Sequence, residues 1–147
     1  SLLKCSKYPN PDSEKGRRSF SYAIYPHTTG ITRGGVADKA YAYNMPLTTV
    51  KLNGNNEEKC FSYVTVDSSN IIIETIKKSY DKAGVIIRAY DGMNKKTEAG
   101  FKLCKKAKSI IECDMLENEL KVIAENTDEF YVFIKNYEIK TIKVIYE

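Results

Sequence analysis

The feature that most constrains this chain is a two-residue alternation that returns in short windows, each closed by a turn signal. Between Ser19 and Tyr25, Phe20, Tyr22 and Ile24 fall on one side and Ser21, Ala23 and Tyr25 on the other. Between Glu138 and Tyr146, Ile139, Thr141, Lys143 and Ile145 alternate with Lys140, Ile142, Val144 and Tyr146. Strand side chains point to opposite faces with this period, so each window reads as a β-strand with one face buried. The window from Cys60 to Asp67 alternates with one register change, which hints at a bulge or a strand buried on both sides. The runs Leu120–Glu125 and Glu129–Lys135 are short and rich in β-formers. Asn53-Gly54, the Asp81–Gly84 stretch, the hairpin-type pair Asp91-Gly92 and the Glu125–Glu129 stretch stand between the runs as turns. About eight or nine strands at this spacing predict a mainly-β fold, an antiparallel β-sandwich.

One segment departs from the pattern. In Gly35–Pro46, the residues Val36, Ala37, Ala40, Tyr41 and Tyr43 recur at near-helical spacing. Asn44 suits the C-cap and Pro46 stops the chain, so one short helix is expected near residues 35–44. Residues 1–17 carry a Pro-Asn-Pro turn and mixed charge, and read as an extended arm with no core of its own. Residues 18–147 are then a single β-sandwich domain. At 147 residues and 42% hydrophobic the chain can bury one core. It opens on Ser1, which fits a processed product or a piece of a longer protein.

Charge and cysteines narrow the function. The net charge of +4 is spread as pairs such as Lys77-Lys78, Lys95-Lys96 and Lys105-Lys106 with acids among them. A nucleic-acid binder gathers basic residues on one face, so no nucleic-acid partner is expected. No apolar run approaches the ~18 residues of a membrane span, so no membrane partner is expected either. Cys5, Cys60, Cys104 and Cys113 form no CxxC pair and match no common zinc spacing. They read as reduced thiols of a cytoplasmic protein, with two disulfides as the alternative.

The residues offer little self-sufficient chemistry. His27 is the single histidine. A catalytic zinc needs about three converging protein ligands, and a Cys–His nucleophile pair would leave four cysteines equally eligible. The plainer reading is a histidine at a strand end, bonded to backbone groups of the following loop; a third is an interface role. Among the carboxylates, Asp91 with Glu98, and Glu112 with Asp114 and Glu117, are the groupings that could supply an acid–base pair, against a default of solvated loop charge. There is no phosphate-cradling loop and no GxSxG. Tryptophan, the usual stacking surface for sugar, is absent, whereas tyrosine occurs eleven times.

Several segments, in one order, resemble a known family. Phe20, Tyr22, Ala23, Ile24, Pro26 and His27 are similar to its Phe-x-Tyr-Ala-Leu-x-Pro-His. Ala40, Tyr43, Asn44, Pro46 and Leu47 are similar to its Ala-x-x-Leu-Asn-x-Pro-Leu. Ser68, Asn70, Lys77, Gly84, Arg88 and Tyr90 follow, then Leu116 and Glu117, then Glu138, Ile139, Lys140 and Thr141. Together they resemble the C-terminal β-region of glycoside hydrolase family 38 α-mannosidases. Lys4, Glu14, Arg18 and Asp91 depart from that pattern, which has arginine, aspartate, histidine and glutamate there.

The resemblance implies a non-catalytic β-domain of a retaining enzyme that hydrolyses terminal α-mannosides. Zinc and the catalytic carboxylates would lie in an N-terminal catalytic region, so no cofactor is expected in this chain, which alone should be inactive. The partners implied are that catalytic region, mannose-containing glycans and, for the parent enzyme, a homodimer. Lys4 and Glu14 are the candidates for approach to substrate. His27, Arg88, Asp91, Glu138 and Lys140 are candidates for structural or interdomain roles, with Arg88–Asp91 and Glu138–Lys140 as expected ion pairs. The alternative reading is a free-standing carbohydrate-binding or interaction sandwich.

Overall fold

The computed structural model describes residues 7–12, 15–31, 35–51 and 60–147. Lys4 and Glu14 lie outside the described residues, as do Asn53 and Gly54. Among the described residues the elements are one helix, α1 (Val36–Asn44), and six strands: β1 (Val64–Val66), β2 (Ile71–Lys78), β3 (Val85–Asp91), β4 (Thr97–Cys113), β5 (Glu119–Ile134) and β6 (Ile139–Ile145). Their pairings are antiparallel. The sheet runs β1-β4-β6-β3-β2, with β5 along the other side of β4.

β4 organises this sheet. Its 17 residues pair with β5 for most of their length. On its opposite side they pair first with β1, through Phe101–Leu103, and then with β6, through Ser109–Cys113. Between these stretches the register breaks. Lys102 faces Glu129, but the next partners are Ala107 and Thr127, so five steps along β4 match two along β5. An excess of residues on one strand bends it and sharpens its twist. Asn126, at φ 50°, turns β5 at the same place. The sheet folds over itself there.

The fold-over builds the core. Ala99, Phe101, Leu103, Phe130, Val132 and Ile134 from one half meet Ile71, Ile87, Ala89, Ile110, Ile142 and Val144 from the other in one buried cluster. Phe101 and Phe130 are direct cross-strand partners whose rings stack 5.1 Å apart. A second buried layer lies on the opposite face of β3, β4 and β6. Ile86, Ile111, Cys113, Thr141 and Lys143 are each at most 6% exposed. The β4–β5 turn, residues 114–118, supplies part of the cover: the Thr141 hydroxyl reaches Met115 Sδ at 3.7 Å. Asp114 shapes this turn by accepting from the N–H groups of Leu116 and Asn118.

The mainly-β, antiparallel reading holds, and so does the short helix, but the strand count is lower than the sequence predicts. The runs 120–125 and 129–135 are two halves of one bent strand, β5. The alternating window 19–25 forms no strand: Phe20, Tyr22 and Ile24 are 55%, 68% and 85% exposed, and no strand pairs with their backbone among the described residues. In 60–67 only Val64–Val66 is a strand. Asp91-Gly92 does not make a hairpin either, because β6 lies between β3 and β4. α1 begins at Gly35, whose φ of 66° suits glycine, and ends where Asn44 Nδ2 donates to the Ala40 carbonyl. It buries no residue, and Tyr41 Oη meets Tyr90 Oη at 3.1 Å.

Candidate functional site

Three polar clusters lie on the sheet, and the candidate residues divide among them. The first centres on Asp91, at the end of β3 and fully buried. Its Oδ1 accepts from Asn70 Nδ2 at 2.8 Å and from the Met93 N–H at 3.1 Å. Its Oδ2 accepts from the N–H groups of Lys95 at 2.9 Å and Tyr137 at 3.0 Å. Asn70, itself 4% exposed, also donates to Thr97 Oγ1. One carboxylate therefore ties together the turn before β2, the β3–β4 connection and the β5–β6 connection. Burial pushes its pKa up, but the Asn70 amide and the backbone N–H groups outweigh this and hold it below the usual range.

The second cluster is at the crossing of β4, β5 and β6. Glu112 accepts from Lys140 Nζ at 2.6 Å and pairs with Lys121 at 3.2 Å. Lys140 also reaches Glu138 at 3.1 Å. The Lys140 ammonium, with Lys121 behind it, holds the Glu112 carboxyl below its ordinary value against burial. A hollow of about 290 Å³ opens beside these groups, lined also by Val122, Ile123 and Phe133.

The third cluster is the charged part of the second buried layer. Lys143, with a side chain only 4% exposed, is held between Asp81 of the β2–β3 turn at 2.6 Å and Glu119 of β5 at 2.7 Å. These partners raise its pKa, Asp81 most. Glu117 bonds Lys77, accepts the Tyr80 N–H at 2.6 Å and stands 4.0 Å from Arg88. Arg88 Nη2 donates to the Met115 carbonyl at 2.9 Å.

The candidate residues therefore separate. Glu138 and Lys140 sit together in the second cluster. Arg88 and Asp91 do not meet: three residues apart on a strand, they face opposite sides, and Arg88 turns to the 114–118 turn instead. His27 is exposed, donates from Nδ1 to the Thr29 carbonyl and stacks on Tyr25 at 6.0 Å. Glu112 and Glu117, grouped by the sequence as carboxylates, are each occupied by cations from neighbouring strands. Sequence reasoning missed Asn70 as the partner of Asp91 and Lys143 as a buried cation. The available signal for Lys143 was a lone charge between Ile142 and Val144 in an otherwise apolar run. Among the described residues no three or more of His, Cys, Asp and Glu converge as a metal site. Among them, too, no helix is long and apolar enough to cross a membrane.

A folded-over antiparallel sheet whose charged residues tie strands and turns to one another defines a β-sandwich-like domain. The family match is more particular. Residues 70–142 match the model described as the glycosyl hydrolases family 38 C-terminal beta sandwich domain. Asn70, Asp91, Glu112, Glu117 and Lys140 lie within the matched span, and Lys143 stands one residue past it. Alpha-mannosidase 2C1 of Homo sapiens is 28% identical over 120 residues, which cover 80% of this chain and 12% of that protein. The Mus musculus protein of the same name gives the same identity and coverage. Alpha-mannosidase G of Dictyostelium discoideum is 29% identical over 153 aligned positions, covering 99% of this chain and 14% of its own length. The chain thus spans only 12–14% of the length of these relatives.

Proposed function

We propose that this chain is the non-catalytic C-terminal β-domain of an α-mannosidase, an enzyme that hydrolyses terminal α-mannosides. It packs on a catalytic region of the same polypeptide, and that region carries the zinc. The observation that carries the reading is where the family match falls. It covers β2 through the first half of β6, and the acids and bases of the polar clusters there, with Lys143 just past it, are committed to one another and to backbone groups. Such groups hold strands in place, and none of these clusters leaves a side chain poised as a nucleophile or general acid. The exposed side chains of Phe20, Tyr22 and Ile24 fit a segment that gains its strand partner from that other region.

Lys4 and Glu14 are the residues of the arm, 1–17, proposed to approach the sugar, and His27 is proposed to fix the loop after it at the interdomain boundary. The parent is proposed to work in the cytoplasm, which suits the free thiols of Cys60, Cys104 and Cys113. A homodimer of the parent belongs to the same proposal. The test is complementation. The remainder of the parent is expressed separately, and zinc-dependent hydrolysis of an aryl α-mannoside is measured with and without this chain. Activity only in the mixture is the expected result. Hydrolysis by this chain alone would overturn the reading.

A further inference from the structure

We propose that the face of the β1–β4–β5 half-sheet pointing away from the core binds a single sugar ring, on a platform built from Tyr131 and Asp67. This needs no catalytic region and does not rest on the mannosidase reading.

The platform begins with a glycine. Gly100 of β4 stands opposite Tyr131 of β5 in the ladder. A Cβ at position 100 would lie 2.9 Å from Tyr131 Cε1 and 2.6 Å from Asp67 Oδ2. The bare backbone at Gly100 thus lets the tyrosine ring lie across the strand and lets the carboxylate reach the ring's edge. Tyr131 remains 63% exposed.

Asp67 is set in place from below. Its Oδ1 accepts the Gly100 N–H at 3.0 Å and the Ser68 hydroxyl at 2.7 Å, and its own N–H donates to the Gly100 carbonyl at 3.0 Å. Oδ2 has no hydrogen-bond partner among the described residues and lies beside the ring. Lys102 and Glu129, paired at 2.7 Å, border the other side, and their side chains are 62% and 55% exposed. Thr65 completes the rim of a hollow of about 220 Å³. That is below the roughly 300 Å³ at which drug-sized pockets begin, which limits the site to about one ring.

The chemistry selects the occupant. A pyranose has an apolar C–H face and a rim of hydroxyls. The tyrosine ring offers a flat, electron-rich surface to the first. Asp67 Oδ2 and the Lys102–Glu129 pair offer acceptors and donors to the second. An anion would meet two carboxylates here. A flat apolar partner, including a second copy of this chain, would strip water from Asp67 without replacing its hydrogen bonds.

The experiment titrates the isotopically labelled 147-residue chain with methyl α-mannoside and methyl β-glucoside, using glycerol as the hydroxyl-only control, and follows amide chemical shifts. The expected result is saturable shifts at Asp67, Gly100 and Tyr131 with either or both glycosides, at a Kd of about 1–10 mM, and none with glycerol. Tyr131→Ala and Asp67→Asn should each weaken binding about tenfold. Tyr131→Phe, which keeps the ring, should bind within about twofold of the parent. Tyr80→Ala, at an exposed tyrosine on the β2–β3 turn, should leave binding unchanged. The proposal is overturned if neither glycoside gives a saturable shift by about 100 mM. It is also overturned if the shifts survive in both weakened variants, or if they follow protein concentration instead of sugar, which would place a second copy on this face.

Discussion

Asp91 shows what one buried side chain can settle. Removing it takes an acceptor from one N–H of the Asn70 amide and from the N–H groups of Met93, Lys95 and Tyr137, around a carboxylate that is itself fully buried. Each orphaned group carries a desolvation penalty, and the penalties share one network. Asp91→Ala should therefore lower unfolding stability by about 3 kcal/mol, read as a drop in the urea midpoint. Asp91→Asn should also destabilise, since it cannot offer acceptors on both atoms.

The carboxylates also set the acid limb of stability. Asp91, Glu112 and Glu117 are held below their ordinary values. The unfolded chain, with carboxyl pKa values near about 4, then binds more protons than the folded one in the acid range. Their contribution is complete above those unfolded values and is lost as pH falls through the folded ones. Urea midpoints should be level between about pH 7 and 5 and fall below about pH 4, with a shallower fall in Glu112→Gln. Lys140 and Lys143 have the opposite sign. Their raised values give a contribution that is present at neutral pH and lost only as pH rises through the folded lysine range.

At this scale the sequence marks the Glu138–Lys140 pair, but neither Asn70 as the partner of Asp91 nor Glu112 as the second partner of Lys140. Asn70 and Asp91 are 21 residues apart, and a contact at that distance depends on sheet order. Arg88 was paired with its near neighbour in sequence, yet strand geometry sends the two side chains to opposite faces.

Among the elements, β6 is the most legible, because it is a short strand with a clean pattern and a neighbour on both sides. β5 was read as two strands because the polar stretch 125–129 has the composition of a turn. It bends there without leaving the ladder, since β4 carries the surplus residues that accommodate the bend. Ser19–Tyr25 has a strand's pattern and no partner among the described residues, which shows that alternation records a preference for a sheet and leaves open which chain segment supplies it.

Close backbone approach gives a prediction at this scale. Gly84, at the entry to β3, has no room for a side chain: a Cβ there would lie 2.5 Å from the Val144 carbonyl oxygen. Because the obstacle is backbone, the strands must separate to admit it. Gly84→Ala should cost about 2 kcal/mol and lower the Tm, whereas Gly30→Ala, with open space around it, should not.

For the whole molecule, the testable consequence concerns what the isolated chain leaves uncovered. Amides of Phe20–Ile24 have no strand partner among the described residues and should exchange with solvent without protection, while those of β3 and β6 exchange last. If the proposed parent is right, mixing with its remaining region should slow exchange at Phe20–Ile24 and leave β3 unchanged, as read by hydrogen–deuterium exchange. If exchange there stays fast in a mixture that has gained activity, those residues are not the contact. The general architecture was legible because strand periodicity is local. The fold-over was not, because it depends on a mismatch in length between two strands that no single window displays.

That mismatch bears on descent. A residue inserted into an ordinary strand turns every later side chain to the wrong face. The stretch of β4 between Lys102 and Ala107 already stands out of register with β5, so a gain or loss of one residue there can be absorbed before either half-sheet is disturbed. Lineages that carry this domain should therefore differ in length at 105–106, past the last β1 contact, more freely than anywhere else along β4 and still keep both halves of the core in phase.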